Sequence, residues 1–158
     1  LPEVQYDLGK ATLREEGKKA LDELADLLKT DHPNIVIELR SHTDLRGSKK
    51  LNKELSESRA QSCVDYLVEQ GVSSDRLIPV GRSFYEPFED EEGNKFTQEY
   101  ISSMSMNLRE EAHQKNRRTD FKVLSTSLED YQNDMEKDEK LIKSAIIDEE
   151  GNLIEITD

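Results

Sequence analysis

The chain has 158 residues, enough for one domain to bury a hydrophobic core without disulfide bonds. Its 35 acidic and 22 basic residues give a net charge of −13, which repels nucleic-acid phosphates and anionic lipid and argues against both as main partners. The single cysteine, Cys63, excludes an internal disulfide, and we expect it to be buried on a helix. No apolar run approaches the roughly 18 residues of a membrane span, and no signal peptide is present; the first residue, Leu1, indicates a piece of a longer protein.

Apolar residues recur along the chain at two spacings, every second residue in strand patterns and every three or four residues in helix patterns. The predicted elements are, in chain order, a strand over 3–8, a helix from a Thr12–Glu15 capping box to His32, a strand over 35–42, a helix from Ser48 to Gly71, a strand over 76–81, a weak helix over 97–114 and a strand over 116–124. This alternation predicts an α/β fold, a βαβαβαβ two-layer sandwich in which helices pack on a four-stranded mixed sheet. Pro79 removes a backbone donor from the third strand, which we therefore expect either to lie at an edge of the sheet or to carry a bulge.

The last part of the chain, residues 125–158, carries a charged helical pattern over about 128–145. Two short apolar runs then flank a turn at residues 150–152, which predicts a small hairpin. We therefore predict one domain over residues 1–124 and a C-terminal extension over residues 125–158.

One stretch, from Ile35 to Ala60, combines an acid and an arginine on neighbouring rigid elements. Asp44 follows the second strand, and Asn52, Ser56 and Arg59 lie within roughly 60° of one another on the next helix. Asp44 and Arg59 can form a salt bridge with each other, or they can hold a ligand that carries both an ammonium and a carboxylate group. Exposed ion pairs are common, so the residues alone favour the salt bridge.

Other polar residues give weaker indications. His42 precedes Asp44 by two residues, but no third ligand stands at a suitable spacing, so we predict a hydrogen-bonding role and no metal site. Asp7 and Asp44 could form a catalytic carboxylate pair, yet no nucleophile accompanies them, and we predict neither an enzyme nor a cofactor. Arg117 and Arg118 are adjacent on a strand, so one is expected to face the site and the other the surface.

Three motifs stand in order along the chain: HTDLRGSKKLNKELSESRA at 42–60, YLVEQGVSSDRLIPVGRS at 66–83 and NRRTDFKVL at 116–124. Together they resemble the OmpA C-terminal-like domain, the peptidoglycan-binding module shared by OmpA, Pal and MotB-type proteins. The likeness runs from about Tyr6 to Leu124 and does not depend on any single tripeptide. The acidic stretch between Pro87 and His113 resembles versions of the module in Bacteroidetes envelope proteins.

The resemblance implies non-covalent binding of the diaminopimelate residue of the peptidoglycan stem peptide. In such modules the acid of the Thr-Asp motif holds the ligand's ammonium and the arginine of the LSxxRA motif holds its carboxylate; these positions are Asp44 and Arg59. The same resemblance assigns Asp7 a structural role and implies further ligand contacts from Thr43, the backbone near Leu45, Asn52, Arg117 and the position of Gly9, which lacks the family's side chain.

With this resemblance taken into account, we expect Asp44 and Arg59 to hold a ligand rather than to form a salt bridge with each other. We expect a periplasmic module that anchors an outer-membrane-associated protein or complex, such as a secretion or motility assembly, to the cell wall through peptidoglycan, with the membrane attachment outside this chain. A protein-interaction or dimerisation module on the same fold is the alternative, and a wall hydrolase is a third hypothesis. Replacing Asp44 or Arg59 with alanine is expected to abolish most binding with little change in thermal stability.

Overall fold

The computed structural model describes residues 4–6, 9–143, 145–147 and 153–156. Its helices and strands are β1 Val4–Gln5, α1 Glu15–Asp26 continued by a π-helical turn Leu27–Asp31, β2 Val36–Ser41, α2 Lys49–Glu69, β3 Leu77–Gly81, α3 Gln98–Ser102, α4 Met106–Asn116, β4 Arg118–Ser125, α5 Leu128–Lys143, β5 Ala145–Ile147 and β6 Leu153–Ile156. The predicted mixed α/β fold is confirmed. Across these described ranges, no helix combines the length and the apolar character that a membrane crossing requires.

Three strands, β2, β3 and β4, form the body of the sheet, and the two residues of β1 add to its edge in the order β1-β4-β2-β3. β2 runs parallel to β3 and antiparallel to β4, so the sheet is mixed. β3 lies at an edge, which is one of the two positions that Pro79 predicts. Four full strands were expected, but the sheet has three strands and a short edge segment. The predicted βαβαβαβ order is not confirmed, because two helices, α3 and α4, stand where one was expected.

The two long helices begin in different ways. Ser48 caps α2, as predicted, by accepting a hydrogen bond from the backbone N–H of Leu51 at 3.2 Å. The capping box predicted for Thr12 and Glu15 is wrong, because α1 begins at Glu15 and the residue before it, Arg14, is extended and makes no side-chain cap. The acid of a capping box stands at the third helical position, so Glu15, at the first helical position, cannot fill that role.

The hydrophobic core lies between α1, α2 and the sheet. It contains apolar side chains from all three, together with the buried Cys63. Tyr6 is fully buried in this core, and its hydroxyl group hydrogen-bonds to Cys63 Sγ at 2.9 Å and to Thr119 Oγ1 at 2.7 Å. These bonds satisfy the polar end of an otherwise apolar contact and fix the first segment of the chain against α2 and β4.

The C-terminal elements match the predicted helix and hairpin. α5 follows β4, and β5 pairs antiparallel with β6. The predicted turn at residues 150–152 lies outside the described residues. The boundary between a domain over 1–124 and an extension over 125–158 stays a prediction.

Candidate functional site

The loop between β2 and α2 is held by its neighbours on both sides. The backbone N–H of His42 donates to the carbonyl of Arg118 at 2.7 Å, and that of Thr43 donates to the carbonyl of Ser83 at 2.8 Å. Gly47 then takes a φ of +93°, a left-handed conformation that glycine adopts without strain. These constraints fix the position of Asp44, which lies between the two anchored residues and the glycine turn.

A crevice of about 360 Å³ opens beside this loop. The residues that line it are Gly9, Thr43, Asp44, Arg46, Gly47, Ser48, Leu51, Asn52, Leu55, Arg59 and Arg117. The fold therefore brings together six of the seven positions selected from the sequence. The seventh, Leu45, is in the same loop but is not among the lining residues.

The carboxylate of Asp44 is buried and already has donors at both oxygens. Oδ2 accepts from Arg46 Nη2 at 2.9 Å and from Arg117 Nη1 at 3.0 Å. Oδ1 accepts from the backbone N–H of Arg46 at 3.0 Å and from its Nε at 3.3 Å. A carboxylate offers about four lone-pair positions, so a ligand must displace one of these donors to reach Asp44.

The pKa of Asp44 reflects two opposing effects. Burial alone raises it, but the hydrogen bonds from Arg46 and Arg117 outweigh burial and hold the pKa below its ordinary value. Asp44 is therefore a carboxylate at neutral pH and can accept a cation. Arg46 is the donor that can exchange, since its side chain is 40% exposed whereas that of Arg117 is 6% exposed.

Arg59 lines the crevice from a fully buried position, with 0% of its surface exposed. Its Nε donates to the carbonyl of Lys10 at 2.8 Å, its Nη1 donates to the carbonyl of His42 at 3.0 Å, and its guanidinium carbon lies 4.7 Å from the centre of the Tyr6 ring. Burial lowers the pKa of Arg59 to about 10, which still leaves it charged at neutral pH. Arg59 thus supplies positive charge to the crevice and also holds three chain segments together.

The direct salt bridge between Asp44 and Arg59 that the residues alone favour is wrong. Within the described part of the chain, Asp44 forms its ion pairs with Arg46 and Arg117. Arg59 instead donates to the carbonyls of Lys10 and His42. Both residues line one crevice, Asp44 from the loop after β2 and Arg59 from α2.

Two residues of the site, Arg46 and Glu110, are not predicted from the sequence. Glu110 on α4 accepts from Arg46 Nη1 at 3.2 Å and from Arg117 Nη1 at 3.2 Å, so it joins both arginines. Asn52 donates to the carbonyl of Arg46 at 2.9 Å and fixes the loop backbone. The weak amphipathic pattern of α4 does not indicate that Glu110 reaches this loop, and the family resemblance assigns no role to Arg46.

The remaining predicted residues have structural roles. His42 Nε2 lies 3.3 Å from a carboxylate oxygen of Asp120, which agrees with a hydrogen-bonding role. Arg118 faces away from the crevice as predicted, but it is buried rather than at the surface, and its Nη2 donates to the carbonyl of Glu86 at 3.1 Å. Asp7 lies outside the described residues. No cluster of three or more His, Cys, Asp or Glu side chains in the described ranges is arranged to hold a metal ion.

The fold and the crevice define a class of protein: a small α/β module with a charged crevice where β2 meets α2. A model of the OmpA family matches residues 5–100, more than half of the chain. The chain belongs to the OmpA family.

Curated relatives in this family are longer proteins. The chain is 42% identical to outer membrane protein A of Serratia marcescens over 80 residues, which are 50% of this chain and 22% of the relative. It is 38% identical to outer membrane protein A of Klebsiella aerogenes over 89 residues, which are 54% of this chain and 25% of the relative. The chain therefore matches about a quarter of the length of these relatives.

Solved structures share the fold at low sequence identity. The peptidoglycan-associated lipoprotein of Burkholderia pseudomallei superposes with a TM-score of 0.61 at 21% identity, covering 78% of this chain and 90% of the other. The C-terminal domain of Helicobacter pylori MotB gives a TM-score of 0.61 at 15% identity, covering 87% and 97%. The cell wall anchor of the T6SS of Pseudomonas aeruginosa gives 0.53 at 24% identity, covering 75% and 73%.

Proposed function

We propose that this chain binds peptidoglycan without covalent chemistry, through the diaminopimelate of the stem peptide, and anchors an outer-membrane-associated protein or complex to the cell wall in the periplasm. The observation that carries the proposal is the crevice that Asp44 and Arg59 both line, each with other partners and without an ion pair between them. Membership of the OmpA family supports it, as do fold neighbours that are named a peptidoglycan-associated lipoprotein and a cell wall anchor. The Bacteroidetes-type subclass is part of this proposal and rests on the acidic stretch between Pro87 and His113.

The free end of diaminopimelate carries an ammonium and a carboxylate on the same carbon, so it offers a partner to each of the opposite charges that line the crevice. The ammonium donates to the carboxylate of Asp44, and the ligand's carboxylate turns toward the buried charge of Arg59. Asn52 and the backbone of Thr43 line the same crevice and add polar contacts. Charge-assisted hydrogen bonds contribute about 1.5 to 3 kcal/mol each, so a few of them give micromolar affinity for one site.

Binding requires that the ligand's ammonium replace the side chain of Arg46 at Asp44. Arg46 is the exposed donor, and it keeps Glu110 as an ionic partner 3.2 Å away when it leaves. Arg117 stays on Asp44, because it is buried and its Nε is bound to the carbonyl of Tyr6 at 2.8 Å. The ligand's ammonium therefore replaces the guanidinium of Arg46 at the carboxylate of Asp44, which keeps its ion pair with Arg117 throughout.

Recognition depends on local contacts rather than on long-range attraction. The chain carries a net charge of −13, and peptidoglycan is also anionic. The crevice overcomes this repulsion only where a ligand presents both charges together. Micromolar affinity is sufficient for an anchor, because a polymer with many stem peptides raises the effective concentration of ligand.

Co-sedimentation with purified peptidoglycan and calorimetry with diaminopimelate test the proposal. We compare the parent with Asp44→Asn, and we use Asp120→Asn as a matched control because it removes a carboxylate outside the crevice. The parent and the control are expected to co-sediment and to bind diaminopimelate, while Asp44→Asn loses at least about tenfold, the loss of one charge-assisted bond. Circular dichroism checks that each variant is folded.

Each competing function gives a different result in the same assay. Equal binding by Asp44→Asn and the parent contradicts the clamp. A protein that stays in the supernatant and self-associates with concentration is an interaction or dimerisation module. Release of soluble muropeptides identifies a hydrolase.

A further inference from the structure

A histidine lies next to the ion pairs that hold the crevice loop. His113 follows Glu110 by three residues on α4, so the two side chains are neighbours on the helix surface, with Cβ atoms about 5–6 Å apart. The carboxylate of Glu110 accepts from Arg46 Nη1 at 3.2 Å and from Arg117 Nη1 at 3.2 Å. His113 therefore neighbours the carboxylate that remains the partner of Arg46 when a ligand displaces it from Asp44.

The ring of His113 is buried within a balanced set of charges. It is 8% exposed, and its Nδ1 has no hydrogen-bond partner among the described residues. The charged groups that act on it come from three parts of the fold: Arg46 and Asp44 from the loop after β2, Glu110 from α4, and Arg117 from the residue just before β4. Two arginines and two carboxylates cancel, so a proton on His113 gives the cluster an uncompensated positive charge.

His113 is neutral at neutral pH. Burial lowers its pKa below the ordinary value and the charge of Arg46 lowers it further, while the carboxylates of Asp44 and Glu110 oppose both effects. The ring therefore takes up its proton in mildly acidic solution. Both ring nitrogens of a charged histidine carry a hydrogen, so the buried Nδ1 then becomes a donor that requires an acceptor.

We propose that acidification weakens the binding of diaminopimelate through His113, whose proton competes with Arg46 for the carboxylate of Glu110; this inference rests on the proposed function. At neutral pH the displaced Arg46 keeps Glu110 as its ionic partner. When His113 is charged, Glu110 is shared with a third cation. Arg46 then leaves Asp44 for a weaker alternative, so its displacement costs more free energy. The charged ring also repels the ammonium that approaches Asp44.

The charged groups around His113 and the ligand itself keep their charge between about pH 5 and pH 7, the range in which a histidine titrates. Burial raises the pKa of Asp44 and of Glu110, but hydrogen bonds from Arg46 outweigh it and hold both values below the ordinary ones. Burial lowers the pKa of Arg59 only to about 10. The carboxylates of diaminopimelate ionise below this range, and its ammonium groups lose their protons above it. A change in affinity over this range therefore reports on a histidine.

Calorimetry with diaminopimelate from about pH 7 to about pH 5 tests the proposal. We compare the parent with His113→Gln and use His32→Gln as a matched control, because it removes an exposed histidine at the end of the π-helical turn. The parent and the control are expected to bind about fivefold more weakly at the lower pH, a small coupling because Glu110 is 61% exposed and therefore screened. His113→Gln should change by less than about twofold, and so should Arg46→Met, in which no side chain has to be displaced to Glu110.

Proton NMR follows the histidine rings of the parent directly. The chain has three histidines, so the two Gln variants assign the ring signals. Saturation with diaminopimelate should lower the pKa of His113 by the factor that acidification adds to Kd, because coupling between two sites is reciprocal. The signal of His32 should titrate equally with and without ligand. This measurement needs only the parent protein, so it decides the question even if His113→Gln does not fold.

The contrary outcomes are distinguishable. Parent affinity that is independent of pH, or a pKa of His113 that the ligand leaves unchanged, overturns the inference and leaves the proposed function intact. An undiminished pH dependence in His113→Gln assigns the effect to another histidine, His42, whose backbone carbonyl accepts from Arg59. An undiminished pH dependence in Arg46→Met contradicts the competition for Glu110. Absence of diaminopimelate binding by the parent at pH 7 overturns the proposed function as well.

Discussion

Arg46 occupies the position at Asp44 that the ligand's ammonium needs, so removing its side chain should strengthen binding. Arg46→Met keeps most of the apolar stem and deletes the bonds from Nε and Nη2, at 3.3 and 2.9 Å, while the backbone N–H bond at 3.0 Å remains. The side chain is 40% exposed, so its ion pair is discounted for solvent and is worth at most about 1 kcal/mol. A ligand that no longer displaces this pair gains the same amount, about fivefold in Kd.

Calorimetric titration with diaminopimelate measures this change. Arg46→Lys is the matched control, because a lysine retains the charge that competes for Asp44 and should leave Kd within about twofold of the parent. Weaker binding by Arg46→Met would refute the displacement step, since it would mean that Arg46 contacts the ligand's carboxylate instead of competing with its ammonium. Thermal unfolding of each variant shows whether the change in affinity is separate from any change in stability.

Three further predictions concern stability and pH. Arg59→Lys should lower the free energy of unfolding by about 3 kcal/mol, measured by denaturant titration, because lysine cannot reproduce two directed bonds to buried carbonyl groups; an unchanged midpoint would contradict this. Gly81→Ala should lower Tm by about 6–12 °C in calorimetry, because its Cβ would lie 2.5 Å from the backbone nitrogen of Glu57; parent-like Tm would show that β3 can shift. The pKa of Asp44 is lower in the folded than in the unfolded protein, where it is about 3.9, so the ionised carboxylate stabilises the fold above that pH and the stabilisation is lost as pH falls through the folded pKa. Asp44→Asn should therefore show a smaller fall in Tm than the parent on acidification below about pH 4. Equal slopes of Tm against pH for the variant and the parent would contradict this assignment.

The sequence predicts the position of the site better than its internal contacts. Asp44 and Arg59 are placed by local rules, a strand end and a helix stripe, and both line the crevice as these rules suggest. The partners of Asp44 depend on tertiary contacts, because Arg117 arrives from the end of α4 and 73 residues separate the two. Helical periodicity and strand alternation carry no information about such a contact.

The burial of Arg59 changes the predicted effect of its substitution on stability. From the sequence it is a ligand-binding arginine whose loss leaves stability unchanged. In the structure it is fully buried and bonded to the carbonyls of Lys10 and His42, so its loss removes support from the crevice walls. Arg118 gives a second example, since strand alternation correctly turns it away from the crevice but does not reveal that the loop around Glu86 covers it.

The short first strand and the divided third helix have a related cause. Strand alternation over residues 3–8 predicts a full strand, but pairing with β4 is seen for Val4–Gln5 among the described residues. The weak helical pattern over 97–114 contains Ser103 and Ser105, and the chain leaves the helix there before α4 begins at Met106. Serine favours such breaks because its side chain bonds to nearby backbone groups.

A crystal of the protein soaked with diaminopimelate gives the most direct measurement of the proposed recognition. We expect electron density in the crevice between the loop at Asp44 and the helix at Arg59, with the ligand's ammonium within hydrogen-bonding distance of Asp44, its carboxylate toward Arg59, and the side chain of Arg46 moved to Glu110. Density elsewhere on the surface, or an empty crevice with Arg46 still bound to Asp44 at a saturating ligand concentration, would contradict the account.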